Sequence, residues 1–198
     1  MFSGEHNISN ALAVLTVARI LKIPDKTTFR ALSEFRGTWR RMEYRGMVNG
    51  AKIYDDYGHH PTEIRATLLG ARELITKNYK LKSKMWCVFQ PHQYQRTYKL
   101  FNQFVGAFDE ADRVILLPIY SVAGREKESI KKKVNSKMLL AKIQNSKVKN
   151  TGQGALYFKS FPMAENYLKK NLKKSDVCVI MGAGNVYKLT EMLFGDKH

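Results

Sequence analysis

The feature that most constrains the fold is the alternation of short apolar segments with longer amphipathic ones over most of the chain. Strands are predicted at residues 84–89, 113–117, 155–158 and 176–181, and helices at residues 62–77, 98–108, 136–143, 163–172 and 186–194. Apolar strands that alternate with amphipathic helices are typical of a parallel sheet covered by helices on both faces. The chain is therefore predicted to have an α/β fold, with ligands bound at the carboxyl ends of the strands.

The first part of the chain has a different pattern. Apolar residues at helical spacing predict one helix over residues 8–21, and a second, shorter helix follows Pro24. The next segments read as a β-hairpin over residues 43–57, because Asn49-Gly50 supplies the positive φ angles of a tight turn. We place a domain boundary between the helices and the hairpin, which gives units of residues 1–38 and 39–198. The two helices are too short to form a domain alone, and they carry an apolar stripe that needs a partner surface.

Charge and cysteine content limit the classes of function. The 198 residues include 34 Lys and Arg against 17 Asp and Glu, a net charge of +17 that favours anionic partners such as nucleic acid, a nucleotide or a UDP-sugar. Cys87 and Cys178 each lie in an apolar run, which predicts buried reduced thiols and fits the cytoplasm. No apolar run approaches the ~18 residues of a membrane span, so membrane insertion is not expected.

The densest polar cluster covers residues 55–63, between a predicted strand and a predicted helix. Asp56 could accept protons from hydroxyl groups, and His59 or His60 could bind an anion or orient a substrate. Turn and cap roles for the carboxylates, with solvated histidines, explain the same residues equally well. Adjacent histidines in an extended segment point to opposite faces, so no metal site is predicted.

A second polar cluster, residues 89–97, also follows a strand and precedes a helix. We expect these two junctions, on neighbouring strands, to converge on one crevice. Arg96 lies near the start of its helix, where a guanidinium and free backbone N–H groups suit a carboxylate or a phosphate. The alternative is that Arg96 covers the helix end or pairs with Glu110.

Three further signals are weak by themselves. Arg40-Arg41 could bind a nucleotide phosphate but is equally typical of a charged surface, and Asn7 and Asn10 share one helical face. The turn at residues 182–187 fails as a dinucleotide fingerprint because Tyr187 stands at the position of the third glycine, so close packing of the last helix is the better account. The dipeptide Gly-Lys does not occur, so the chain contains no phosphate-binding P-loop.

Five ordered motifs together resemble the Mur ligase family. They are Gly-x-His-Asn-x-x-Asn (residues 4–10), Phe-x-Gly-Thr-x-Arg-Arg-x-Glu (35–43), Asp-Asp-Tyr-Gly-His-His-Pro-Thr-Glu (55–63), Phe-Gln-Pro-His with Arg-Thr (89–97) and Gly-Ala-Gly-Asn (182–185). They span nearly the whole chain. The third motif is most similar to the alanine-adding branch, and the branch that reattaches recycled peptides to the muramyl sugar is close.

The resemblance implies the end of the central ATPase domain, residues 1–38, followed by the carboxy-terminal Rossmann-like domain of a three-domain enzyme. Such an enzyme uses ATP and Mg²⁺ to activate the carboxylate of UDP-N-acetylmuramate as an acyl phosphate, which the amine of L-alanine then attacks. The motifs that carry over assign ATP binding to five residues: His6, Asn7, Asn10, Arg41 and Asp56. They assign substrate binding to Tyr57, His59, His92 and Arg96, with catalytic roles for Arg96 and His59.

Two departures from the family pattern affect these expectations. Gln93 stands where many relatives carry arginine. An additional arginine, Arg125, begins a lysine-rich segment at residues 125–149 that we expect to be a solvated excursion. Without a P-loop, this chain alone is expected to fold but not to catalyse ligation. Two other classes of function stay open: a basic nucleic-acid-binding module, suggested by the net charge, and a dinucleotide-dependent oxidoreductase, suggested by the α/β pattern alone.

Overall fold

The computed structural model describes residues 5–35, 38–78, 83–124, 126–146 and 154–195. These residues divide into two compact units, Met1–Trp39 and Arg40–His198. The additional Arg125 and the end of the lysine-rich segment, residues 147–149, lie outside the described residues.

The first unit is a pair of helices, α1 (Glu5–Ile20) and α2 (Asp25–Glu34). Of the apolar residues predicted to share one face of α1, Ile8 and Leu12 are exposed; Val17, on the opposite side of the helix, and Phe29 on α2 are exposed as well. Ala18 is the apolar residue of α1 that is buried. Two helices of this length bury little apolar surface by themselves.

The second unit is built on a six-stranded sheet in the order β1-β2-β6-β3-β4-β5. The strands are β1 (Glu43–Val48), β2 (Ala51–Asp56), β3 (Met85–Phe89), β4 (Arg113–Leu116), β5 (Ala155–Tyr157) and β6 (Val177–Met181). Strands β2 to β6 are parallel, and only β1 is antiparallel to its neighbour among the described strands. The hairpin prediction is confirmed, since Asn49 and Gly50 have φ angles of 53° and 78°.

Helices cover both faces of the sheet, as predicted. Alternate residues of β3 point to opposite sides, with Cys87 in one buried apolar cluster and Trp86 in the other. The first cluster includes residues of α3 (Pro61–Asn78), α5 (Phe101–Val105) and α7 (Ser136–Asn145). The second includes residues of α8 (Phe161–Asn171) and α9 (Tyr187–Phe194). Cys87 and Cys178 are free and buried, which confirms that part of the prediction.

One predicted helix is wrong in its bounds. The helix expected at residues 98–108 is two short helices, α4 (Tyr94–Lys99) and α5, separated at Leu100, whose φ and ψ of −103° and 14° break the helical path. Helix α4 starts early because the carbonyl of Gln93 accepts hydrogen bonds from both the N–H and the hydroxyl of Thr97. The expectation that the lysine-rich segment is a solvated excursion is wrong for its second half: after a one-turn helix, α6 (Glu128–Lys131), the segment contains α7, whose Leu139 and Ile143 are buried in the first cluster.

No helix among the described residues is long and apolar enough to cross a membrane.

Candidate functional site

The candidate site lies where the parallel strands end. Asp56, Met181, Phe89 and Leu116 are paired across β2, β6, β3 and β4, so the loops after these strands leave the sheet at one level. Such an edge is the usual ligand-binding edge of an α/β sheet. The two predicted polar clusters do converge here, because the His59 and His92 rings are 5.8 Å apart between their centroids.

The strands that carry these clusters are not neighbours, however, and that part of the prediction is wrong. Strand β6 lies between β2 and β3. The turn after β6 is small because it begins with Gly182, Ala183 and Gly184. A side chain at Gly184 would place its Cβ 2.6 Å from Gln90 Oε1 and 2.6 Å from Tyr120 Cγ. These glycines are therefore needed for close packing of the turn against neighbouring loops, rather than of the last helix against the sheet.

The loop after β2 is held by Asp56. Its Oδ1 accepts a hydrogen bond of 2.7 Å from the N–H of Gly58, and its Oδ2 accepts one of 3.0 Å from the N–H of Met42. Burial raises the pKa of Asp56, while these two hydrogen bonds and the charge of Arg41 oppose the rise. Asp56 is thus a buried support that fixes the path of the chain into the site, with both oxygens occupied.

His59 is oriented from two sides. Its Nδ1 lies 3.1 Å from the carbonyl oxygen of Tyr57, so Nδ1 carries the proton and Nε2 carries the lone pair. Glu63 accepts hydrogen bonds from the N–H groups of His59 and His60 with one oxygen, at 2.9 and 3.0 Å. Burial lowers the pKa of His59, and the positive charges of Arg96 and Arg41 add to this effect. His59 is therefore neutral at neutral pH, with Nε2 able to accept a proton.

His92 and Arg96 form the other half of the site. The His92 ring stacks on Tyr120 with a centroid distance of 5.4 Å and an angle of 11° between the planes. Arg96 Nη1 donates to His92 Nδ1 at 3.4 Å, so the alternative pairing of Arg96 with Glu110 is not found. Burial lowers the pKa of His92, and the positive charge of Arg96 adds to this effect. Two neutral imidazoles beside a guanidinium are suited to an anionic ligand.

Glu126 stabilises this half of the site. One carboxylate oxygen accepts from the N–H of Tyr94, at the start of α4, and the other accepts from the Ser121 hydroxyl at 2.7 Å and the Val122 N–H at 3.2 Å. Glu126 thereby ties the loop after β4 to the helix that carries Arg96. The sequence analysis assigned no role to Glu126 or to Tyr120, because each acts through residues that are distant in the chain.

The arginine pair is divided between two environments. Arg41 is exposed, with its guanidinium carbon 5.8 Å from the centroid of the Tyr57 ring. Arg40 is 2% exposed and donates hydrogen bonds to the carbonyl oxygens of Gly182 and Gly184. The exposed Arg41 is the one that can reach a phosphate, while Arg40 is part of the interior.

The structure thus gathers Tyr57, His59, His92 and Arg96 into one group, the carboxyl-end cluster. The Tyr57 and His59 ring centroids are 5.6 Å apart, which completes the chain of contacts. The predicted ATP residues of the first unit lie on α1, where Asn10 is exposed and the side chains of His6 and Asn7 are outside the described residues. In the described part of the chain, no three His, Cys, Asp or Glu side chains are grouped so that they could hold a metal ion.

Comparison with known proteins defines the class to which this fold and site belong. The sequence profile of the Mur ligase, glutamate ligase domain matches residues 40–184. That range is most of the second unit and contains the whole carboxyl-end cluster. The chain belongs to the Mur ligase family.

Particular relatives narrow the comparison further. The UDP-N-acetylmuramate–L-alanine ligase of Acetivibrio thermocellus is 42% identical over 194 residues, which are 98% of this chain and 38% of that protein. Among solved structures, the UDP-N-acetylmuramate-alanine ligase of Thermotoga maritima has a TM-score of 0.72 at 25% identity, covering 97% of this chain and 37% of that one. A murein peptide ligase from Psychrobacter arcticus has a TM-score of 0.64 at 25% identity, covering 98% of this chain and 37% of that one. The chain therefore spans less than two-fifths of the length of these relatives.

Proposed function

We propose that the chain is the carboxy-terminal part of an ATP-dependent ligase that joins L-alanine to the muramyl carboxylate of UDP-N-acetylmuramate. The support is the 42% identity to a protein of that name over nearly the whole chain, together with the carboxyl-end cluster. The reaction belongs to the synthesis of the peptidoglycan precursor, and the enzyme would act in the cytoplasm. The alternative is the activity of a murein peptide ligase. It is the second choice because the solved structure of such an enzyme matches this chain with a lower TM-score than the alanine ligase does.

The domain assignment is part of this proposal. Residues 1–38 would be the last helices of a central ATPase domain, and residues 39–198 would be the carboxy-terminal domain. The division of the described chain at Trp39 and the start of the family match at residue 40 both support this boundary. The exposed apolar residues of α1 support the proposal that these helices pack against the rest of the central domain.

The cluster has the chemistry that the acyl-transfer step needs. ATP with Mg²⁺ would supply the phosphoryl group that activates the muramyl carboxylate. Attack of the alanine amine on the acyl-phosphate carbonyl would place negative charge on its oxygen, which Arg96 would stabilise until the C–O bond to phosphate breaks and phosphate leaves. His59, neutral and with Nε2 unprotonated, would accept the proton that the amine loses. Tyr57 and His92 would hold the substrate beside them.

The ATP-binding residues follow from the motifs. Arg41, exposed beside Tyr57, would contact a phosphate, and His6, Asn7 and Asn10 would lie by the adenine. Asp56 would contribute to nucleotide binding indirectly, by holding the loop after β2 in place. Its own oxygens already accept backbone hydrogen bonds.

The test is phosphate release from ATP in the presence of Mg²⁺, UDP-N-acetylmuramate and L-alanine, with this chain and with a version extended upstream through a P-loop. We expect activity only in the longer protein. Arg96→Ala in the longer protein should lower kcat/KM on the order of 10²-fold, the usual effect of losing a group that stabilises an oxyanion. Arg65→Ala, an exposed arginine on α3, is the matched control and should have no effect.

Two results would contradict the proposal. An inactive extended protein would remove the ligase assignment. If the short chain also bound random oligonucleotides at physiological salt, its charge of +17 would favour the basic nucleic-acid-binding module instead.

A further inference from the structure

Arg40 is 2% exposed, although arginine is almost never buried without partners. Its guanidinium donates to the carbonyl oxygens of Gly182 and Gly184, the second at 3.2 Å. The guanidinium carbon also lies 5.3 Å from the ring centroids of both Tyr57 and Tyr187. The side chain therefore connects the loop after β2, the turn after β6 and the start of α9.

The backbone of Arg40 is fixed as firmly as its side chain. Its carbonyl accepts a hydrogen bond of 2.6 Å from the N–H of Tyr57, and its N–H donates to Glu43 Oε2 at 2.8 Å. Its φ angle of 53° lies in the left-handed region, which a residue with a Cβ adopts only where its surroundings enforce it. Arg40 thus holds Tyr57 at both the backbone and the ring.

Tyr57 connects Arg40 to the other residues of the carboxyl-end cluster. Its ring contacts Arg40 on one side and His59 on another, and Arg41 lies nearby. A displacement of Tyr57 would therefore move the surroundings of His59. We propose that Arg40 is a positioning residue, which sets the place of Tyr57 and through it the place of His59. It is not a catalytic residue, because its guanidinium is enclosed by protein.

The requirement is specific to arginine. The planar guanidinium can donate to two carbonyl groups while it lies against aromatic rings, whereas an ammonium is a compact point charge on a flexible stem. Arg40→Lys keeps the charge and removes this geometry. Arg72 offers a control, since like Arg40 it donates to a backbone carbonyl, that of Glu110; its guanidinium in addition pairs with the carboxylate of Asp112.

The first test uses the chain by itself and does not depend on the proposed function. The imidazole resonances of His59, assigned with His59→Gln, are compared by NMR in the wild type, Arg40→Lys and Arg72→Lys. We expect Arg40→Lys to shift them beyond the line width and Arg72→Lys to leave them in place. The same comparison in a Tyr57→Leu background should show no further effect of Arg40→Lys, because the effect passes through Tyr57.

Two outcomes would overturn the proposal. An unchanged His59 signal in a folded Arg40→Lys chain would make Arg40 a structural residue only. A shift that persists in the Tyr57→Leu background would show that Arg40 does not act through Tyr57. If Arg40→Lys does not fold, Tyr187→Leu removes one of the two rings beside the guanidinium and is judged by the same two outcomes.

A second test uses the extended protein and rests on the proposed function. Misplacement of a contact residue by about 1 Å can cost on the order of 10²-fold in rate. We expect Arg40→Lys to lower kcat/KM for the muramyl substrate by that order, with a smaller change in KM for ATP, and Arg72→Lys to change neither. An inactive wild-type protein would count against the proposed function, and the NMR comparison would still decide the role of Arg40. An active Arg40→Lys protein with unchanged constants would count against the positioning role.

Discussion

Asp55 gives the sharpest prediction about stability. It is 1% exposed on β2, and its Oδ1 accepts a hydrogen bond from the hydroxyl of Thr190 on α9. The nearest cation is Arg45, whose Nη1 lies 3.9 Å from Oδ2. Burial raises the pKa of Asp55 from 3.8 to about 6, although the Thr190 hydrogen bond and the charges of Arg45 and Arg40 act in the opposite direction. The perturbation is Asp55→Asn, which keeps the shape and removes the titration.

The sign and size of the effect follow from linkage. A group whose pKa is higher in the folded state binds protons more tightly when folded, so its contribution to stability is complete below pH 3.8 and is lost as the pH rises through 6. A difference of about two pKa units corresponds to about 3 kcal/mol. We therefore expect the wild type to lose up to about 3 kcal/mol of unfolding free energy, relative to Asp55→Asn, between about pH 4 and pH 7.

The assay is urea unfolding of both proteins at closely spaced pH values, followed by far-UV circular dichroism. The quantity that matters is the difference between the two proteins, because the other titrating groups are common to both. Thr190→Val is the second variant. It removes a hydrogen bond that lowers the pKa of Asp55, so the pH-dependent step should move to higher pH. A difference between wild type and Asp55→Asn that stays constant from pH 4 to pH 7 would refute the reasoning.

Two further predictions concern the backbone of the site. Gly184→Ala should destabilise the fold by about 1–3 kcal/mol in urea unfolding, because the new Cβ would meet Gln90 and Tyr120 at 2.6 Å. Gly106→Ala, where a Cβ meets nothing within 4 Å, should not destabilise it, and equal losses would contradict the packing argument. Gln93 has φ and ψ of 69° and 128°, so Gln93→Gly should be more stable than Gln93→Ala by about 1–3 kcal/mol. Equal melting temperatures for that pair would show that the conformation is not strained.

The strands and most helices could be predicted from the sequence because their signals are local. Apolar runs of strand length and a hairpin turn at Asn49-Gly50 can be recognised without knowledge of the rest of the chain. The start of α4 could not be predicted from the local sequence. It depends on Gln93, whose N–H donates to the carbonyl of Tyr120 at 2.9 Å, and that contact forms only when the loops after β3 and β4 meet.

The site was predictable to a similar extent. The loops with Tyr57, His59, His92 and Arg96 were identified by their places after strands, and the structure brings all four together. Residue type alone does not separate Arg40 from Arg41, and only the family resemblance assigned the nucleotide to Arg41; in the structure Arg40 is enclosed and Arg41 is exposed. Which of them turns inward depends on the carbonyl groups of a turn more than 140 residues later in the chain.

The two edges of the sheet differ in how many hydrogen bonds compensate a buried aspartate. At the amino ends of the strands, Asp176 accepts hydrogen bonds from the N–H groups of Lys84 and Lys173 and from the indole of Trp86, so its buried carboxylate is compensated. At the carboxyl ends, Asp55 accepts one side-chain hydrogen bond, from the hydroxyl of Thr190, and burial raises its pKa to about 6. The hydrogen bonds around the two buried aspartates therefore differ, and the burial of Asp55 is the less fully compensated of the two.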